Sequence, residues 1–247
     1  MISPADGHTP LTALVVQGIT MDFVGLRALE NVNLTLRQGE ILGLIGPNGS
    51  GKTTMINVIT GLLRPTAGRI QADGADITGK PPHKIAQTGV ARTFQKVKLF
   101  RELTVFENVK VAAVSVGMPN RRAKEQAWVA LEELGIEAWS GRIAGTLPYG
   151  HERKVEVARA LAMNPKFILL DEPAAGMDEE ESAALLQILT PIPEKKNLGM
   201  LIVDHDMNLI MRLCNRLHVL NYGKTIGEGT PEEVRRIPEV VEAYLGS

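Results

Sequence analysis

Apolar and polar positions alternate along "LTALVVQGITMDF" (Leu11–Phe23) and "ENVNLTL" (Glu30–Leu36), the period of half-buried strands. "EILGLIG" (Glu40–Gly46) is a short continuous apolar run that leads into a glycine-rich turn, as a fully buried strand does. "KTTMINVITGLL" (Lys52–Leu63) takes up helical spacing, with Gly61 as its stop. "GRIQADGADIT" (Gly68–Thr78) has the pattern of a hairpin, and "GVARTF" (Gly89–Phe94) that of another strand. Helical spacing then dominates in "TVFENVKVAAVSV", "RRAKEQAWVALEELG" and "HERKVEVARALAM". "KFILLDEP" (Lys166–Pro173) returns to a buried strand, followed by an "EEESAALLQIL" helix and a "GMLIVDHD" strand. That alternation belongs to an open parallel α/β sheet. The chain closes on "TPEEVRRIPEVVEAYLG", a helix opened by Thr230 and Pro231 and broken near Pro238.

The pattern divides the chain. Residues 1–10 are expected to be a flexible tail, and 11–95 with 165–247 an α/β core carrying a β-rich part. Residues 96–164 form an inserted helical subdomain. Net charge is −1, so no general attraction to nucleic acid or anionic lipid is expected. The basic "RRAKEQ" is read as the solvated face of a helix, since acids follow in "ALEELGIE". One cysteine, Cys214, excludes a disulfide framework or a cysteine zinc cluster and fits a reducing cytosol. The polar start has no secretory signal pattern, and no apolar run reaches the ~18 residues of a membrane span.

Two stretches carry chemistry. Gly46, Pro47, Asn48, Gly49, Ser50, Gly51, Lys52 and Thr53 match G-x-x-x-x-G-K-[ST]. The glycines let backbone N–H groups turn inward around phosphate oxygens, and the helix N-terminus that follows adds partial positive charge. Lys52 is expected to reach the β- and γ-phosphates of a nucleotide, Thr53 to ligate Mg²⁺, and Thr54 to bond an α-phosphate oxygen. "FILLDEP" places two carboxylates at the end of an apolar strand, the edge of a parallel sheet where ligands bind. Asp171 is the candidate for the Mg²⁺ shell and Glu172 for the general base that polarises water. The same residues also fit a plain glycine turn and a strand end with two solvated acids.

Further stretches select a family. "ARTFQ" ends in Gln95, "LPYGHERKVEVARALA" precedes "FILLDEP", "AAGMD" follows it, and "LIVDHD" presents His205. No guanine-reading N-K-x-D is present. In this order the chain resembles the ATP-binding cassette (ABC) ATPases over nearly its whole length. "GVARTFQKVKLFRELTVFENV", "EPAAGMD" and "GTPEEVRRIPEVVEAYLG" resemble the ATPase subunit of branched-chain amino-acid importers. The resemblance implies the P-loop ABC fold, ATP and Mg²⁺ as ligands, and transmembrane permease subunits as partners. It also implies a head-to-tail dimer with a second ABC ATPase subunit, and indirectly a solute-binding protein outside the membrane.

The resemblance also assigns roles. Phe23 matches the aromatic that stacks on adenine, with a core strand phenylalanine as the alternative. Gln95 contacts Mg²⁺ or water, His205 the γ-phosphate, and Gly150 the γ-phosphate of the other protomer's ATP. Asp178 stands at the dimer seam or caps a helix. The common signature L-S-G-G-Q, or L-S-Y-G-Q, is here "LPYGH": Pro148 replaces the serine and His151 the glutamine. The implied function is ATP hydrolysis that drives import of branched-chain or other small amino acids. An amide or urea importer, or a soluble ABC ATPase outside transport, are the alternatives.

Overall fold

The structure is a computed structural model that describes residues 12–204 and 207–245. β1 (Ala13–Phe23) and β2 (Leu26–Arg37) form a hairpin, and β3 (Ile41–Ile45) leads through a loop to α1 (Lys52–Ile59). β4 (Ala67–Ala72), β5 (Ala75–Asp76), α2 (Pro82–Gln87) and β6 (Val90–Arg92) follow. Next come α3 (Val105–Ser115), α4 (Asn120–Glu133) and α5 (Tyr149–Ala162), which pack on one another. β7 (Phe167–Asp171), α6 (Glu179–Leu189), α7 (Ile192–Lys196), β8 (Gly199–Val203) and α8 (Met207–Leu213) continue the alternation. The chain ends with β9 (Arg216–Asn221), β10 (Lys224–Gly229), α9 (Pro231–Val234) and α10 (Pro238–Leu245).

Among the described residues the strands form two sheets. The smaller is antiparallel, in the order β2-β1-β4-β5. The larger has the order β10-β9-β3-β8-β7-β6, parallel except for β10 at its edge. Every residue of β3, β7 and β8 is buried, because both faces of this sheet are covered. The faces are told apart by the strand period of two. Ile168 and Leu170 of β7 face the helices, whereas Phe167 and Leu169 face the smaller sheet and α1. Met200 and Ile202 of β8 alternate with Leu201 and Val203 in the same way.

The element boundaries refine the sequence pattern. The first helix ends at Ile59 with Thr60 as its cap, and Gly61, the expected stop, follows in a left-handed conformation (φ 73°). "GVARTF" is a strand only over Val90–Arg92, and the described part of "GMLIVDHD" is a strand over Gly199–Val203. The final helix is broken near Pro238 as expected, into α9 and α10 separated at residues 235–237. Strands β9 and β10 had no counterpart in the pattern; Tyr222 and Gly223, both at positive φ (44° and 77°), make their tight turn. The tail at 1–10 lies outside the described residues, and no helix among those described is long and apolar enough to cross a membrane.

Cys214 is 7% exposed, and burial pushes its thiol from 9.0 up to about 12. Above pH 9 the unfolded thiol ionises while the folded one keeps its proton. The unfolded state then binds fewer protons, so stability falls as pH rises through this window. Urea unfolding at pH 8, 9.5 and 10.5 should therefore show a flatter decline for Cys214→Ala than for the parent, by up to about 1.4 kcal/mol per pH unit. Equal slopes would mean that the folded thiol ionises freely.

Candidate functional site

β3 ends at Ile45, and the loop after it wraps tightly before α1 begins at Lys52. Gly46 (φ 148°), Gly49 (φ 79°) and Gly51 (φ 107°) take conformations that other residues adopt only under strain. At Gly46 a Cβ would lie 2.0 Å from the carbonyl oxygen of Leu220, so β9 itself closes that position to any side chain. Ser50 is 2% exposed, and its Oγ has no hydrogen-bond partner. A buried free hydroxyl inside a ring of glycines fits an incoming oxygen-rich group. Lys52 folds back over the loop, and its Nζ donates to Gly46 O at 2.6 Å and Pro47 O at 2.9 Å. Burial lowers the pKa of this ammonium, while Glu172 and Asp171 act to raise it.

A cleft of about 430 Å³ opens above this loop. Asn48 to Thr54 line it, together with Phe23, Gln95, Glu172 and Tyr222. Phe23 is 42% exposed at the end of β1, which removes its reading as a core phenylalanine. Gly46 and Pro47 lie on the outer side of the loop, where Tyr244 of α10 is hydrogen-bonded to the Gly46 backbone.

β7 delivers the acids. Asp171 is 5% exposed; burial raises its pKa, and Arg92, 3.6 Å away, offsets part of that shift. Arg92 also donates to Asn57 Oδ1 (2.9 Å) and Thr60 Oγ1 (3.0 Å), which joins β6, β7 and the end of α1 around one guanidinium. Glu172 sits at φ 48°, and its N–H donates to Val203 O at 2.7 Å. Gln95 Nε2 donates to Glu172 Oε2 at 2.9 Å across 77 residues of sequence. One cleft thus brings together the glycine loop, Lys52, Thr53, Thr54, Gln95 and Glu172, with Asp171 one residue from Glu172.

The comparisons fit this geometry. The sequence model of the family described as "ABC transporter" matches residues 29–175, which spans the glycine loop, α5 and β7. The chain belongs to the ABC transporter family. Like other ABC ATPases it binds and hydrolyses ATP. A second model, "Branched-chain amino acid ATP-binding cassette transporter", matches residues 224–247. The high-affinity branched-chain amino acid transport ATP-binding protein BraF of Pseudomonas aeruginosa is 41% identical, covering 94% of this chain and 97% of its own. The lipopolysaccharide export system ATP-binding protein LptB of Haemophilus influenzae is 38% identical, covering 96% and 98%. Among solved structures, the ADP conformation of MJ1267, an ATP-binding cassette of an ABC transporter, has a TM-score of 0.86 and 32% identity. It covers 96% of this chain and 100% of its own.

The other expected ABC residues lie elsewhere. Gly150 is buried in the first turn of α5 and does not line the cleft. A Cβ there would meet Glu181 Oε1 at 2.5 Å, so α6 packs directly on the signature. Pro148 is the N-cap of α5 and offers no side-chain bond. His151 packs on Trp139 with ring centroids 4.1 Å apart and planes tilted by 42°, and burial lowers its pKa. Asp178 caps α6 in a reciprocal box with Glu181. His205 lies outside the described residues. The sequence reading missed Arg92, Arg153 and Tyr222. Arg153 had a signal, since it stands four residues before Val157 on the buried stripe of α5.

Gly46→Ala tests the cradle. The substituted loop cannot keep its path against Leu220, so ATP affinity measured by calorimetry should fall about tenfold or more while the far-UV spectrum stays that of the parent. Unchanged affinity would separate the loop from nucleotide binding.

Proposed function

We propose that this ABC ATPase powers the import of branched-chain or other small amino acids through separate permease subunits. The observation that carries the solute class is the match of residues 224–247 to the branched-chain cassette model. Those residues comprise β10, α9 and α10, and α10 reaches the glycine loop through Tyr244. BraF and the other branched-chain relatives support the same reading. ATP is a cytosolic fuel, so the chain works as a peripheral subunit on the cytoplasmic face of the membrane.

In this reading the backbone N–H groups of residues 46–54 and the Lys52 ammonium take up the phosphate charge. Thr53, Asp171 and Gln95 would hold Mg²⁺, which supplies charge neutralisation at the transferred phosphoryl group. Phe23 stacks on the adenine. Glu172 takes the proton from the attacking water, and its bond with Gln95 is exchanged for that water when nucleotide enters. His205 orients the γ-phosphate. Gly150 does not line its own cleft, which supports a phosphate partner in a second cassette packed head to tail. Residues 96–164 move as a unit that carries this closure to the permease, and the gain comes from tighter ATP binding in the closed state. A dimeric ABC cassette bound to ADP and Pi is among the structural relatives, at 28% identity and a TM-score of 0.78. An extracytoplasmic solute-binding protein completes the assembly indirectly.

Glu172→Gln keeps shape and hydrogen bonding but removes the base, so phosphate release should fall about 10²–10⁴-fold with ATP binding retained. Near-parental release would refute the assignment. Lys52→Ala should weaken binding as well as turnover; a thermal-shift titration in which ATP stabilises variant and parent alike would sink that role. ATP-dependent leucine uptake into proteoliposomes that hold the chain with its co-purified permease decides the cargo.

A further inference from the structure

The α5 helix carries Gly150 at its start, and three residues later Arg153 points inward. Arg153 is 1% exposed, among the most deeply buried large side chains in the chain. Its Nη1 donates to Phe94 O at 2.9 Å and to Glu156 Oε2 at 3.1 Å. Its Nη2 donates to Gln95 O at 2.5 Å and to Glu172 O at 3.2 Å. One guanidinium therefore binds the backbone of two different segments at the carboxyl edge of the larger sheet, one after β6 and one after β7. Tyr149, in the same turn of α5, adds a bond from its hydroxyl to Ala175 O at 3.0 Å.

These are the two segments whose side chains meet at Gln95 Nε2 and Glu172 Oε2. Glu172 is held at φ 48°, a conformation that a non-glycine residue keeps only when its surroundings impose it. Val203 O fixes its N–H and Arg153 fixes its carbonyl. A buried charge is seldom needed for stability alone, since an apolar side chain of similar volume commonly does as well. A planar fork that serves three carbonyls at once is something only arginine supplies.

We propose that Arg153 is a positioning residue for ATP hydrolysis. It holds the backbones of Gln95 and Glu172 in the relation their side chains require, and it ties both to the helix that presents Gly150 to a second cassette. A displacement of either segment on nucleotide binding is thereby passed to α5, which couples a chain's own site to the one it completes. The inference rests on the reading of Glu172 as general base and of Gly150 as phosphate-facing.

The test is Arg153→Lys in the full chain, which keeps the charge and loses the fork. Phosphate release, ATP affinity and unfolding without nucleotide are measured together. Turnover number should fall about tenfold or more with KM for ATP within about threefold, because the glycine loop and Lys52 are untouched. Glu156→Gln is the structural control. It removes the charge partner and leaves the three carbonyl bonds, so it should lose stability yet keep the turnover number within about threefold. Parental turnover in Arg153→Lys overturns the proposal, and so does an equal loss in both variants that tracks their stability. Should Arg153→Lys not fold, hydrogen exchange on the parent decides. The clamp requires the amides of 95–98, of 172–175 and of the second turn of α5 to open together, and independent opening overturns it. Glu172→Gln separates the two levels. Parental turnover there strikes the reading of Glu172 itself, whereas its loss beside parental turnover in Arg153→Lys strikes the clamp alone.

Discussion

Five strands of the larger sheet run the same way, so the segments that leave β3, β6, β7 and β8 all emerge at one edge. Both faces of that sheet are already covered, by the smaller sheet with α1 on one side and by helices on the other. A chemical site is left with the edge, where strand ends meet helix starts. The glycine loop, Gln95 and the two acids converge there although up to 126 residues of sequence separate Gly46 from Glu172. The arrangement follows from right-handed crossovers between parallel strands and needs no long-range contact between the side chains themselves.

Held edges need polar anchors, and the protein uses buried arginines. Arg92 joins α1, β6 and Asp171; Arg153 joins α5 to the segments after β6 and β7. Burial lowers the pKa of Arg92 and raises that of Asp171, and each charge offsets part of the other's desolvation. Glu156 shows the same balance: burial raises its pKa, while the Phe94 N–H and Arg153 lower it. Such pairs contribute modest net stability, because desolvation takes back most of the Coulomb gain. Their value is geometric, since a guanidinium that has lost water accepts few alternatives to the carbonyls it holds.

Gly150 and the cleft lie apart in one chain, and that separation is informative. The start of α5 has no side-chain cap, and Glu181 of α6 packs against it outside the lining of the nucleotide cleft. On the proposed reading, two cassettes in head-to-tail contact would satisfy both halves.

Much was legible in the sequence because it depends on local chemistry. The phosphate loop is readable since glycines are required wherever φ turns positive, and Lys52 must follow them. The apolar run before Asp171 marks a buried strand because hydrophobic burial over four successive residues has few other solutions. Strands β3, β6, β7 and β8 of the larger sheet and the helical block between Leu103 and Met163 follow from periodicity. The β9–β10 hairpin was not legible. Its polar residues, half-buried Arg216 and buried His218, find partners in Glu40, Glu228 and Thr225, which no local pattern announces. What the tertiary structure alone decided is which distant groups meet: Gln95 with Glu172, and Arg153 with both backbones. A sequence states which residues want a partner, but the partner's identity depends on how the sheet brings strand ends side by side, and that geometry exists only in the folded chain.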